Sequence, residues 1–153
     1  MAKSANVTTA LKGRKRLKFL LDTNVISKMV RGRETAYRQN AKLSIAAGNN
    51  HSTSVIVKFE LEYGAIKGPQ PATTREKQSA VLDEMENIYE VDAEDAKIAA
   101  RIRLELEKRG ERIGEYDVLI AAQAIRTESV LVTNNLRHFD RVAGLHVIDW
   151  SSV

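Results

Sequence analysis

The sequence contains no cysteine. That excludes disulfides, thiolate metal sites and cysteine nucleophiles together, and it fits a reducing cytoplasm. No apolar run approaches the roughly 18 residues that a transmembrane helix needs, so no membrane span is expected. Neither GxGxxG nor GxxxxGK[ST] occurs, which argues against a nucleotide cofactor. The three histidines, His51, His138 and His146, have no metal-type spacing and are weak catalytic candidates. Only two prolines are present, and both fall in the loop Gly68-Pro69-Gln70-Pro71. There is no internal repeat, no low-complexity segment and no sign of a second domain.

What is present is ordinary for a soluble globular chain: 153 residues, 43% hydrophobic and 29% charged. A chain of this length buries about two-thirds of its unfolded surface. Charge is unevenly placed. The net charge is +4, yet residues 1–18 hold six bases and no acid, which leaves the remainder at −2. The first residues therefore form a basic arm. It lacks the apolar core of a secretory signal, and it is Lys-rich where organelle transit peptides are Arg-rich. A phosphate-seeking arm and an inert extension both fit.

The stretch at 17–27 organises the chain. The apolar run from Leu17 to Leu21 reads as a short buried strand, stopped by the carboxylate of Asp22. Thr23 and Asn24, both good helix caps, open a helix over 24–31 closed near Gly32. A second helix is expected over 33–47, with Tyr37, Ala41 and Ile45 on one face. A strand at 51–55 is followed by a helix from Ile56 to Ile66, whose apolar residues Ile56, Phe59, Tyr63 and Ile66 define one face with Glu60 beside it. A helix over 72–87 is opened by Thr73 or Thr74 with Glu76 behind. A strand at 88–91 leads to a helix over 93–109, capped by Asp92 and closed at Gly110. Gly114 precedes a strongly apolar helix, 115–126, with Asp117 in its first turn. A strand at 130–132, a turn of helix at 136–142 and a last strand at 146–148 complete the chain. Strands alternating with helices predict an α/β/α sandwich around a parallel sheet of four or five short strands.

Asp22, Glu60, Asp117 and Asn135 all fall at a strand end or in an adjoining helix, on the side of a parallel sheet where ligands bind. Carboxylates converging there raise each other's pKa unless a cation is present. All-oxygen donors favour magnesium or manganese, which bind phosphate oxygens and lower the pKa of a bound water. Each acid also has a plainer reading. Asp22 can cap its own helix, Glu60 can be a solvated helix residue, and Asp117 can complement the helix dipole. A haloacid-dehalogenase-like phosphatase would need Asp-x-Asp, which Asp22-Thr23-Asn24 does not supply.

Five motifs, in order over about residues 17–150, carry a resemblance. They are Phe-Leu-Leu-Asp-Thr-Asn-Val-Ile-Ser at 19–27, Phe-Glu-Leu-Glu-Tyr-Gly-Ala at 59–65, Ile-Gly-Glu-Tyr-Asp-Val-Leu-Ile-Ala-Ala at 113–122, Leu-Val-Thr-Asn-Asn-Leu-Arg-His-Phe at 131–139, and Asp149-Trp150. The chain resembles the PIN-domain ribonucleases, and most closely the VapC-type toxins of toxin–antitoxin pairs. The resemblance implies a PIN domain over 17–153 behind an arm at 1–16 expected to be flexible. It implies a cytoplasmic, magnesium-dependent endoribonuclease acting on RNA, often tRNA, and neutralised by a cognate antitoxin, as a homodimer or a hetero-oligomer with that partner. Manganese is an alternative ion. The implied metal ligands are Asp22 and Asp117, with Glu60 orienting or deprotonating water or holding a second ion. Thr133, Asn134 and Asn135 are expected at the ion's water shell or the substrate phosphate. The chain departs from the pattern at Asn135, where many PIN domains have a fourth acid, and at His138, where related toxins often have Glu. Asn135 can ligate through its amide oxygen or through water. The alternative implied by that departure is a PIN module that binds RNA or a partner without cutting.

Overall fold

The computed structural model describes residues 15–31 and 35–152. The expected arm at 1–16 lies outside the described residues apart from Lys15 and Arg16, as does the helix closure at Gly32. Among the described residues there are five strands: β1 (Lys18–Leu21), β2 (Asn50–Ser54), β3 (Asn87–Tyr89), β4 (Val130–Val132) and β5 (Val147–Ile148). Seven helices accompany them: α1 (Thr23–Val30), α2 (Ala36–Ala46), α3 (Val55–Lys67), α4 (Pro71–Leu82), α5 (Ala93–Lys108), α6 (Glu115–Arg126) and α7 (Leu136–Phe139). None of the helices is long and apolar enough to cross a membrane.

The sheet is parallel throughout, in the order β3-β2-β1-β4-β5. The chain lays β2 and β3 on one side of β1, then crosses back to place β4 and β5 on the other. Strand order therefore reverses between β1 and β4, and a reversal of this kind opens a crevice beyond the carboxyl ends of the strands. As the central strand, β1 is covered on both faces, which explains why Phe19, Leu20 and Leu21 form an unbroken apolar run and are all buried. Their partners include Leu131 and Val132 of β4 and Val57 and Leu61 of α3, all within one core.

Several local expectations are corrected. The apolar face proposed for α3 is the wrong one. Phe59, Tyr63 and Ile66 are 53%, 55% and 55% exposed, and the buried face is Ile56, Val57, Leu61 and Ala65. The helix has apolar residues on both sides, so spacing alone does not choose between them. Its packing against α1 and α4 does. On α2 the outward residue is Ile45, and Ser44 is buried instead because its hydroxyl meets His51 Nε2 at 2.8 Å. Helix α4 starts at Pro71 and ends at Leu82 rather than running from 72 to 87, with no side-chain cap. Proline is well suited to the first helical position, where its missing N–H costs nothing. Helix α7 stops at Phe139, short of the expected 142, and the turn after it reaches Gly144 at φ +79°.

Helix α5 follows the expectation closely. Asp92 accepts from the Asp95 amide (2.9 Å) and Asp95 accepts from the Asp92 amide (3.0 Å), a reciprocal capping box. At its far end Gly110 adopts φ +67°. Nothing lies within 4 Å of a Cβ built there, so only backbone strain opposes a side chain. Gly110→Ala is therefore expected to lower stability by about 1 kcal/mol without affecting the crevice, which a thermal melt would register.

Candidate active site

The crevice at the strand reversal is built first from β1. The Asp22 amide donates to the Val132 carbonyl (3.0 Å), joining the ends of β1 and β4. Its side chain is the N-cap of α1, so the plainer reading of Asp22 holds, and Thr23 and Asn24 lie inside the helix rather than capping it. Oδ1 accepts from the Thr23 amide (2.8 Å) and Oδ2 accepts from the Thr133 hydroxyl (3.0 Å). Capping does not exhaust the residue, because two further carboxylates act on it.

Glu60, in the second turn of α3, is tied to the same point: the Thr23 hydroxyl donates to Glu60 Oε1 at 2.9 Å. Asp117 comes from the first turn of α6, close enough for its charge to act on Asp22. The Asp22 carboxyl is pushed up to about 6. Burial is the main cause, the hydrogen bonds from Thr23 and Thr133 oppose it, and the Asp117 and Glu60 charges add to it. Burial also raises the Asp117 carboxyl, and His138 beside it pulls the other way. The three acids thus form one electrostatic group centred on Asp22, although they come from three elements far apart in the chain.

The remaining site residues divide. Thr133 is fully buried, with its hydroxyl donating to Asp22 and accepting from the Asn135 amide (3.1 Å), so it shapes Asp22 rather than facing the crevice. Asn134 is exposed and Asn135 half-buried, and neither side chain hydrogen-bonds to the acids. Thr23 was not among the candidate residues, yet it couples Asp22 to Glu60. Its place next to Asp22 was the only signal for it. His51 is a core residue: it contacts Phe19 and Trp150 and meets Ser44, and its burial lowers its pKa. His138 is the histidine that reaches the site, with Nδ1 3.8 Å from Asp117 Oδ2.

These donors suit a hard divalent cation in a particular way. Among the described residues, no three carboxylate or imidazole groups converge tightly enough to enclose a bare ion. Magnesium is typically held by one or two carboxylates while keeping several waters. A buried carboxylate that is costly to ionise beside two others is the electrostatic counterpart of such an ion, whose charge would relieve the repulsion.

Comparison with known proteins bears on the family and the fold. The chain matches the family model of the PIN domain over residues 19–145. It is 33% identical over 138 residues to a Shigella flexneri protein named tRNA(fMet)-specific endonuclease VapC, covering 88% of this chain and 99% of that one. It is 33% identical over 132 residues to Ribonuclease VapC2 of Rickettsia felis, covering 86% and 97%. Among solved structures it is similar to VapBC2 of Rickettsia felis bound to a promoter DNA fragment, with a TM-score of 0.81, 32% identity and coverage of 88% and 99%. DNA-bound VapBC of Salmonella typhimurium gives 0.79 and 33%, covering 88% and 98%.

Proposed function

The chain belongs to the VapC ribonucleases of the PIN-domain family, and on that premise we propose that it is a magnesium-dependent endoribonuclease that cuts tRNA and is held inactive by a cognate antitoxin. The observation that carries the reading is the gathering of Asp22, Glu60 and Asp117 at the strand reversal, with Asp22 raised by its burial and further by the other two charges. Asp22 and Asp117 would hold the ion, which when bound would supply a water of lowered pKa and charge stabilisation at phosphorus. Glu60, fixed by the Thr23 hydroxyl, would orient the attacking water and accept its proton. Thr133 locks the Asp22 rotamer from behind. Asn134 and Asn135, at the crevice rim, hydrogen-bond the substrate phosphate. Manganese can replace magnesium at these oxygens.

An antitoxin silences such a site by bringing a basic side chain to its acids, an attraction that strengthens as water is excluded from the crevice. The exposed apolar stripe of Phe59, Tyr63 and Ile66 supports association with a protein partner, since contiguous exposed apolar surface marks contact sites. Action on tRNA supports a cytoplasmic location.

Incubating the purified chain with total tRNA, with and without magnesium, tests the reading. The expected result is discrete cleavage that chelator abolishes. If the tRNA stays intact in magnesium while binding is retained, Asn135 in place of a fourth acid marks a module that binds without cutting.

A further inference from the structure

The two helices that supply Glu60 and Asp117 also supply a pair of exposed aromatic rings. Phe59 directly precedes Glu60 on α3, and Tyr116 directly precedes Asp117 on α6. Consecutive helical residues stand about 100° apart around the axis, so each ring lies beside its acid rather than behind it. Glu60 and Asp117 both act on the Asp22 carboxyl. The rings meet as well, with centroids 5.6 Å apart and planes at 62°. An edge-to-face pair of this kind leaves ring faces uncovered, and both side chains are more than half exposed. With Val55 and Ile56 they line an open pocket of about 250 Å³. Val55 opens α3 directly after Ser54, the last residue of β2, so the pocket lies at a strand's carboxyl end, beside the acids.

We propose that Phe59 and Tyr116 form a stacking platform for one unpaired RNA base, next to the phosphate that the acids address. Single-stranded RNA is gripped largely by stacking its bases on aromatic rings, which tolerates any sequence because every base has a π-face. Two aliphatic walls and two rings suit a flat ring system and offer little to a charged ligand. The position favours a base over a protein side chain, because base and phosphate belong to one strand. A strand with a phosphate at the acids carries its neighbouring bases to this rim. The Tyr116 hydroxyl is the one polar side-chain group in the lining, so the platform holds a base without selecting which. Phe59 also heads the exposed stripe of α3, so a protein bound along that stripe covers the platform and shuts RNA out. The platform rests on the reading of the crevice as an RNA-cutting site, and its test separates the two.

A single-stranded RNA octamer carrying 5-iodouridine is bound to the whole chain in chelator, so that it stays uncut, and is irradiated. Iodouridine couples preferentially to an aromatic ring stacked on it, and peptide mass spectrometry locates the new bond. Octamer affinity and cleavage of total tRNA in magnesium are then compared for the wild type, Phe59→Ala, Tyr116→Ala and Tyr116→Phe, with circular dichroism checking the fold. Coupling is expected at Tyr116 or Phe59. Each alanine should weaken octamer binding and raise KM for tRNA by about 5-fold or more, while kcat is largely kept. Tyr116→Phe keeps the ring and should stay near the wild type. A wild type that cuts tRNA while coupling elsewhere, or alanine variants with unchanged affinity and KM, overturns the platform and leaves the cutting site standing; the exposed rings then belong to a protein partner. A Tyr116→Phe variant as impaired as Tyr116→Ala replaces stacking with a hydroxyl contact and overturns it too. A wild type that neither binds nor cuts RNA overturns both readings. The coupling needs no variant, so the outcome is decided even where a substitution misfolds.

Discussion

Asp117→Asn is expected to lower metal-dependent RNA cleavage by about a thousandfold while leaving the metal-free fold as stable as before. The substitution keeps the shape of the side chain and removes one charge from a cluster of three. In the absence of an ion that charge is a liability, because it adds to the cost of ionising Asp22. The asparagine keeps a polar side chain opposite His138, whose Nδ1 stands 3.8 Å from Asp117 Oδ2, too long for a strong hydrogen bond. If Asp117 served only the dipole of α6 or a buried hydrogen bond, the Asn form would lose roughly 0.5–3 kcal/mol and still cut once folded. Melts in chelator and cleavage assays on the same samples separate the two outcomes. A destabilised but active variant would exclude Asp117 as a metal ligand.

The second expectation concerns pH. The Asp22 carboxyl stands at about 6 in the folded protein against an ordinary 3.8. A raised carboxyl binds its proton more tightly when folded, so metal-free stability should fall as pH rises from about 4 through about 6. The loss attributable to Asp22 amounts to roughly 3 kcal/mol and should be complete by neutral pH. Asp22→Asn removes that slope. Above pH 6 the variant should match or exceed the metal-free wild type in stability, after a loss of about 1 kcal/mol for the weakened Thr133 bond. Denaturant melts in chelator at pH 5 and pH 7.5 measure the difference, and subtracting the variant cancels every other titrating group. Two parallel profiles would show that the burial of Asp22 carries no electrostatic penalty. Added magnesium at pH 7.5 should restore stability to the wild type and not to the variant, by mass action on the folded state.

The local features of this chain were legible in its order of residues. The bounds of α6 were recoverable because Gly114 marks its start and a Thr-Glu-Ser stretch ends its apolar run. The Asp92 box and the Gly110 stop needed only neighbours within a turn. Even Asp22, Glu60 and Asp117 could be nominated singly, because a carboxylate at a strand end or early in an apolar helix is conspicuous, and motif resemblance then grouped them.

Only the tertiary structure decided what required distant parts of the chain to meet. The face that α3 buries is set by α1 and α4, so Leu61 went inward and Phe59 outward although both are apolar. Asp22 is braced by Thr133, 111 residues away, and no local pattern announces that a threonine hydroxyl will be spent on a carboxylate rather than on substrate. His138 is another such case, because its relation to Asp117 is set by how α7 packs near the start of α6 and leaves no periodic trace. Secondary structure follows from forces between near neighbours, whereas pKa shifts and ligand sets arise from charges whose separation only the fold determines.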